Sequence, residues 1–175
     1  CVSRDLGYNN CNFVNCVIWR GTDGNSTISL NNCLVRVRGY DGPIANNTIF
    51  IKQHSDTTGQ RSLRNGTLSN CLIFLDTLIN IQGLNNTVLP ADSLSAVFAT
   101  FRNSSDDINY STSYALTDRA AANFLGVDGT QVGIYGGVMP FGNVPTYNVI
   151  RRCTVAPRST ADGKLSVDIE LETEQ

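Results

Sequence analysis

A short pattern recurs three times in the first half of the chain and restricts its fold more than any other feature. Each copy has an apolar residue, a variable residue, Asn, Cys and two apolar residues. The copies are Phe13–Ile18, Leu30–Val35 and Leu68–Ile73, and Ala45–Phe50 is a weaker copy in which Thr replaces Cys. The copies follow one another at unequal intervals, so the pattern predicts stacked units of similar cross-section joined by loops of variable length.

The Asn of each copy predicts a sharp bend between two short strands. Asn enters the left-handed backbone region more readily than other residues with a side chain, and this region turns the chain abruptly. Asn residues at the same bend of successive units can also hydrogen-bond to one another through their amides. We therefore expect a structural ladder made of four residues, Asn15, Asn32, Asn47 and Asn70.

The Cys that follows each Asn predicts a buried column. Free Cys behaves as a small apolar residue and is commonly buried, and stacked strands lie about 4.8 Å apart. We expect Cys16, Cys33 and Cys71 to be unoxidised core thiols on adjacent units, rather than disulfide or metal ligands. The chain has no Cys-x-x-Cys pair and a single histidine, His54, so the sequence predicts neither a metal site nor a cofactor.

The repeats resemble coils of the pectate-lyase-type right-handed parallel β-helix, over about residues 10–82. The stretch Leu125–Gly137, with the sequence LGVDGTQVGIYGG, is similar to the segment that closes the solenoid in bacterial surface and secreted β-helix proteins. The resemblance implies an all-β fold, a right-handed parallel β-helix (β-solenoid) with a loop-rich C-terminal closing region and a terminal edge strand. It also implies a secreted or cell-surface location.

The same resemblance suggests the domain organisation. Residues 1–137 are expected to form the coils and the closing motif, and residues 138–175 a C-terminal extension, together one structural domain and a fragment of a longer protein. Cys1 leaves two interpretations open, which are the lipid-bearing first residue of a mature bacterial lipoprotein and the start of a fragment.

Local patterns predict elements in the second half of the chain. Ala96–Ala99 is expected to be a strand, and residues 120–124 a short helix capped by Thr117 or Asp118. Val132 and Ile134 alternate with Gly, which is typical of a strand close to other backbone. Residues 164–172 alternate apolar and polar, which predicts a half-buried capping or edge strand. The alternative is a strand that pairs with another domain or subunit.

The charge content excludes some partners. Charged residues make up 16% of the chain and the net charge is −2, which gives no electrostatic case for nucleic acid. No apolar run approaches the ~18 residues of a membrane helix, so no transmembrane segment is predicted.

Aromatic and basic residues at aligned positions after the bends suggest a binding face. Positions three residues after the Cys hold Trp19, Arg36, Ile51 and Phe74, and the next positions hold Arg20, Val37, Lys52 and Leu75. The sequence does not decide which of these two columns faces outward. A carbohydrate-binding patch for a sugar ring or an acidic polysaccharide would contain Trp19, Arg36, Arg38 and Lys52. The alternative is a solvated face with one buried Trp.

Acidic residues are sparse along the repeats and do not align, which argues against the paired carboxylates of glycoside hydrolysis. The sequence therefore favours a non-catalytic secreted or cell-envelope protein that is a scaffold or binds polysaccharide. Two alternatives stay open. One is a polysaccharide lyase or glycoside hydrolase whose active residues lie partly outside this fragment, and the other is part of a phage tail-spike or fibre.

Overall fold

A computed structural model describes residues 2–3, 11–21, 28–37, 39–52, 62–102, 112–142, 148–155, 162–164 and 167–173. In these residues the chain is all-β, with short strands and two short helices. The strands are β1 (Val2–Ser3), β2 (Asn12–Val14), β3 (Val17–Gly21), β4 (Ser29–Asn31), β5 (Leu34–Val37), β6 (Tyr40–Asp41), β7 (Ile44–Asn46), β8 (Ile49–Lys52), β9 (Ser62–Arg64), β10 (Thr67–Ser69), β11 (Leu72–Phe74), β12 (Thr77–Ile79), β13 (Thr87–Val88), β14 (Asn148–Val155) and β15 (Val167–Thr173). The helices are α1 (Leu94–Val97) and α2 (Asp118–Asn123). Neither described helix has the length and apolar character needed to cross a membrane.

The strands up to β13 form three parallel sheets in the described part of the chain. A six-stranded sheet has the order β1-β3-β5-β8-β11-β13, a four-stranded sheet β10-β7-β4-β2, and a three-stranded sheet β12-β9-β6. From a strand of the four-stranded sheet the chain passes into the six-stranded sheet, and from β5, β8 and β11 it continues into the three-stranded sheet. We call one such passage a level. The parallel register pairs equivalent residues of successive levels, such as Leu34 with Ile49 and Ile49 with Leu72.

The bend between the four- and six-stranded sheets confirms the predicted role of Asn. Asn15, Asn32, Asn47 and Asn70 have φ values of 48°, 50°, 51° and 51°, in the left-handed region. Each also donates its backbone N–H to a carbonyl of the next level, as in the bond of 3.1 Å from Asn32 to the oxygen of Asn46. The bend therefore belongs to the hydrogen-bonded stack and is not a free loop. We call these residues, with Asn85 at φ 57°, the bend column.

The main core fills the space between the three sheets. Side chains of alternate strand positions meet there and are almost completely buried, among them Ile18, Val35, Phe50 and Ile73 of the six-stranded sheet. Leu30 and Leu68 of the four-stranded sheet and Tyr40 and Leu63 of the three-stranded sheet complete it.

The outer face of the six-stranded sheet is buried as well. Val17, Leu34, Ile49 and Leu72 point away from the main core. They pack against residues 94–101 and 114–134 of the same chain, which we call the covering segment. A run of aromatic rings joins this segment to the sheet, with centroid separations of 6.1 Å from Phe74 to Phe98 and 5.4 Å from Phe98 to Phe101. Because both faces are covered, the strands read as apolar runs, as is usual for parallel sheets.

The structure corrects two local predictions in this covering segment. Residues 96–97 belong to α1 rather than to a strand, and only Phe98 forms an isolated bridge, with Leu116. Val132 and Ile134 are buried, but they lie in turns and not in a strand, since their backbone polar groups bond to loop residues. The predicted helix is present as α2, and the Thr117 side chain caps it by accepting a hydrogen bond from the N–H of Ala120.

The chain divides into two compact units, residues 1–141 and 142–175. In the second unit β15 forms the predicted alternating strand. It pairs antiparallel with β14, a strand that the sequence analysis did not predict. Val167 and Ile169 are about half exposed (50% and 51%), so the expected half-burial of the apolar face does not occur within the described residues. Arg152 on the opposite face is paired with Asp168 and Glu170.

Cys16, Cys33 and Cys71 are buried and free, as predicted. Cys16 and Cys33 lie on neighbouring levels, but Thr48 occupies the level between Cys33 and Cys71. The expectation of three adjacent Cys levels is therefore wrong for Cys71. The Thr48 hydroxyl accepts a hydrogen bond from the N–H of Cys33 (3.3 Å) and donates one to the carbonyl of Asn46 (2.9 Å), which a thiol does more weakly.

We expect these three thiols to be silent toward a thiol reagent in the native protein. Burial raises the pKa of the Cys33 and Cys71 thiols to about 12, so almost no reactive thiolate is present at neutral pH. Cys153 is exposed and should react rapidly. Titration with a chromogenic disulfide should lose one thiol from its fast phase in Cys153→Ser and none in Cys33→Ser. Rapid labelling of Cys33 in the folded protein would contradict the assignment.

Candidate functional site

The structure brings together two of the four residues predicted to bind carbohydrate. The Arg36 guanidinium lies over the Trp19 ring, 4.0 Å from its centroid, where the negative face of the ring attracts the cation. Arg36 is only 4% exposed, whereas Trp19 is partly exposed. A shift of register between β3 and β5, between Ile18 and Gly21, lies beside this pair. The side chain that reaches solvent here is therefore that of Trp19, and the buried Arg36 stacks against one face of its ring.

Lys52 does not join this pair. Its ammonium forms an ion pair with Asp76, close to where β11 ends, and Asp76 is more exposed than the Lys. Arg38 lies outside the described residues. The structure thus separates the predicted patch into a Trp19–Arg36 stack and a Lys52–Asp76 pair.

The structure also decides which aligned column faces outward. Ile51 and Phe74 belong to the cluster on the outer face of the six-stranded sheet, while Val37 and Leu75 belong to the main core. At the levels of Ile51 and Phe74 the outer face is covered by the chain itself. The broad, open face that the sequence suggested is therefore not open at these two levels.

Residues 125–137, which we call the closing segment, are attached to the bend column. The Asn15 side chain donates hydrogen bonds to the carbonyls of Ile134 (2.9 Å) and Gly136 (2.7 Å). The Asn47 side-chain oxygen accepts one from the N–H of Val127 (3.1 Å), and its carbonyl accepts one from Gly133 (2.7 Å). We expected the bend amides to hydrogen-bond to one another. The side chains of Asn15 and Asn47 instead bind the main chain of the closing segment.

Hydrogen bonds from amide to amide do occur, in the neighbouring columns. Asn46 donates to Asn31 (3.2 Å), and Asn31 donates to Asn12 (3.3 Å). A second bend, which we call the return bend, lies where the chain leaves the three-stranded sheet. There Asn80 donates to Asn65 (3.0 Å), which in turn donates to Asp41 (2.9 Å). Polar side chains therefore do tie successive levels together, but at positions other than the four that the sequence predicted.

The Asp-Gly-Thr motif shapes the closing segment from within. The Asp128 carboxylate accepts hydrogen bonds from the N–H (3.0 Å) and hydroxyl (2.8 Å) of Thr130, and these bonds lower its pKa. The Thr130 hydroxyl accepts a further bond from the N–H of Gly137 (2.7 Å). The motif thus holds a compact turn.

Glycines allow the turn to lie directly on the bend column. A Cβ added to Gly126 would lie 2.6 Å from the Asn47 side chain, and one added to Gly137 would lie 2.1 Å from that of Asn32. The closing segment therefore needs Gly at these positions in order to reach the column.

Beyond the closing segment, the bend column borders a cleft of about 210 Å³. Its polar lining comes from Asn70, Asn85, Thr87 and Asn123. Apolar side chains, including Phe124, Leu125 and Val132, form the rest of the wall. We call it the amide cleft. Within the described residues, no group of three or more His, Cys, Asp and Glu side chains is arranged to hold a metal ion.

Comparison of the chain with protein-family models, with curated proteins and with solved structures gave no match.

The sequence pattern missed Asn85, although a signal for it exists. Residues 84–88 read Leu-Asn-Asn-Thr-Val, a degenerate copy of the repeat in which Asn86 takes the Cys position. Its side-chain oxygen accepts a hydrogen bond from the N–H of Cys71 (3.0 Å), as Thr48 does from Cys33. Asn123 and Phe124 belong to no repeat, and only the folding of α2 over the sheet brings them to the cleft.

We expect Gly137→Ala to destabilise the protein more than Gly129→Ala. Both glycines have positive φ (78° and 74°), so the backbone strain of the new side chain is matched. Only the Cβ at position 137 meets the bend column, since nothing lies within 4 Å of one at 129. Overpacking should add about 1–3 kcal/mol of destabilisation. Urea unfolding of both variants measures the difference, and equal free energies of unfolding would show that the closing segment does not press on the column.

Proposed function

We propose that residues 11–88 form a right-handed parallel β-helix. Three parallel sheets visited in one repeating order, with left-handed Asn at successive bends, are what a solenoid of this type requires. The right-handed sense is supported by the general preference of parallel crossovers, about 98% of which are right-handed. The local resemblance of the repeats and of the closing stretch to bacterial β-helix proteins points the same way.

For this module we propose a non-catalytic role as a rigid scaffold in a secreted or cell-envelope protein. One observation supports the proposal. The outer face of the six-stranded sheet, where a solenoid offers its broadest open surface, is covered by residues 94–101 and 114–134 of the same chain. A surface packed in this way stiffens the module and is not available to a long substrate.

The use of the acidic side chains supports the same role. Asp41 accepts a hydrogen bond from Asn65, Asp76 pairs with Lys52, and Asp128 closes the turn with Thr130. Each of these carboxylates thus has a structural partner of its own. General acid–base catalysis requires instead two titratable groups directed at one reacting bond.

A second candidate is binding of an acidic polysaccharide at the Trp19–Arg36 stack. The partly exposed indole offers a face to a sugar ring, and the guanidinium beneath it supplies positive charge close to that face. Trp19 is not among the residues packed under the covering segment, and Trp19→Ala is the direct test of this candidate. Pairing of β15 with another subunit is a further proposal that concerns the partners of the protein.

We expect the full chain to release no product from polysaccharides. Acidic and neutral polymers would be incubated with the protein, and reducing ends and unsaturated uronates would be measured over a day. A rigid scaffold should also unfold in one cooperative transition over residues 1–141. The fluorescence of the single Trp would monitor this transition.

Surface labelling of intact cells that produce the protein, followed by protease shaving, would check the proposed location. Reproducible turnover of any polymer, removed together with the protein by immunodepletion, would overturn the non-catalytic role. Protection of the protein inside intact cells would overturn the envelope location.

A further inference from the structure

The amide cleft continues a surface that already binds polar groups in this protein. At the levels of Asn15 and Asn47, bend-column side chains bond to carbonyls and an N–H of the closing segment. At the levels of Asn70 and Asn85 the column goes on but lines the cleft instead. The same amide chemistry is thus presented to solvent one to two levels beyond the place where the chain uses it itself.

The amides around the cleft are available for a ligand. Within the part of the chain that the structure describes, no residue exchanges a side-chain hydrogen bond with Asn70, Asn85 or Asn123. Each amide offers two donors and one acceptor oxygen, and neighbouring levels of the column lie about 4.8 Å apart. Such an array suits groups that both donate and accept, spaced at the distance of substituents across a small ring.

The remaining lining restricts the ligand further. No lining residue of the cleft carries a charge, so an anion or a cation would leave its own charge without a counterpart. Phe124 and Val132 give one wall an apolar face. The volume of about 210 Å³ is below the ~300–1,000 Å³ typical of pockets for drug-sized molecules. A compact ring with hydroxyl groups at its rim and an apolar face satisfies all three conditions.

We propose that the amide cleft binds one neutral sugar residue, with Asn70, Asn85 and Asn123 bonded to its hydroxyl groups and Phe124 against its ring. This site differs from the Trp19–Arg36 stack in place and in charge, and it adds a ligand to the scaffold role. An extended peptide is the competing ligand class. The uncharged cleft, of the size of one ring and with an aromatic wall, favours the sugar.

The test uses the full chain and the methyl glycosides of glucose, galactose, mannose and N-acetylglucosamine, observed by saturation-transfer NMR. The double variant Asn85→Gly with Asn123→Ala removes two amides, and Gly at position 85 tolerates the positive φ. Asn80→Gly is the matched control, since Asn80 has φ 52°, is exposed and lies at the return bend, outside the cleft lining. Losing two hydrogen bonds should weaken binding at least about tenfold, and the control should stay within about twofold of the parent protein.

Each outcome decides the proposal. Binding of at least one glycoside that falls in the double variant and persists in both Asn80→Gly and Trp19→Ala supports it. Binding that survives the double variant, binding lost only in Trp19→Ala, or binding of none of the four glycosides by the folded protein overturns it. Capture of an unstructured peptide in place of every glycoside, lost in the double variant, would assign the cleft to peptides and overturn the sugar. None of these results depends on polymer turnover, which tests the scaffold role separately.

Discussion

The left-handed backbone of Asn at the bend between two sheets is the constraint on which the rest of the structure depends. A residue with a side chain rarely adopts this conformation, and its free-energy cost is lower for Asn than for most other residues. Because the bend is sharp, the following Cys or Thr turns directly into the core, and the strands on either side enter separate sheets. Because the bend N–H bonds to the next level, the conformation is also supported from level to level. A change of register at one bend would displace every side chain that follows it to the opposite face.

The same bends provide the contact surface for the second half of the chain. Their side chains lie outside the core, where they can bond to the closing segment or border a cleft. The covering segment then adds a second apolar layer on the six-stranded sheet, anchored by Phe98 and Phe101. The bends therefore also supply one wall of the candidate binding surface, and residues 123–132 supply the other.

How much of this could be predicted depends on whether the information is periodic. The Asn bends, the buried Cys residues and the all-β class follow from a local pattern that repeats, and the Thr117 cap follows from a local preference. Residues 96–97 form a helix because burial of Leu94 and Val97 against the sheet decides their conformation, and no local pattern encodes that contact.

The destination of the Asn15 side chain was similarly hidden, since it depends on residues about 120 positions further along the chain. For the same reason the sequence suggested an open face at Arg36 and Lys52, where the structure has a buried cation and an ion pair. The amide cleft combines both kinds of information. Its column wall is periodic and could be found from the degenerate copy at residues 84–88, whereas the wall made by α2 could not.

The free thiols of the core have a kinetic consequence. A reagent can modify Cys16, Cys33 or Cys71 only when the surrounding level opens, so under excess reagent the modification rate equals an opening rate rather than a chemical one. The three residues lie at different heights of the stack, with Cys16 and Cys71 separated by the levels of Cys33 and Thr48. Peptide-resolved modification rates would therefore distinguish fraying from one end from opening of the whole stack at once. Thiols that do not react in the folded state thus report the rate at which that state opens.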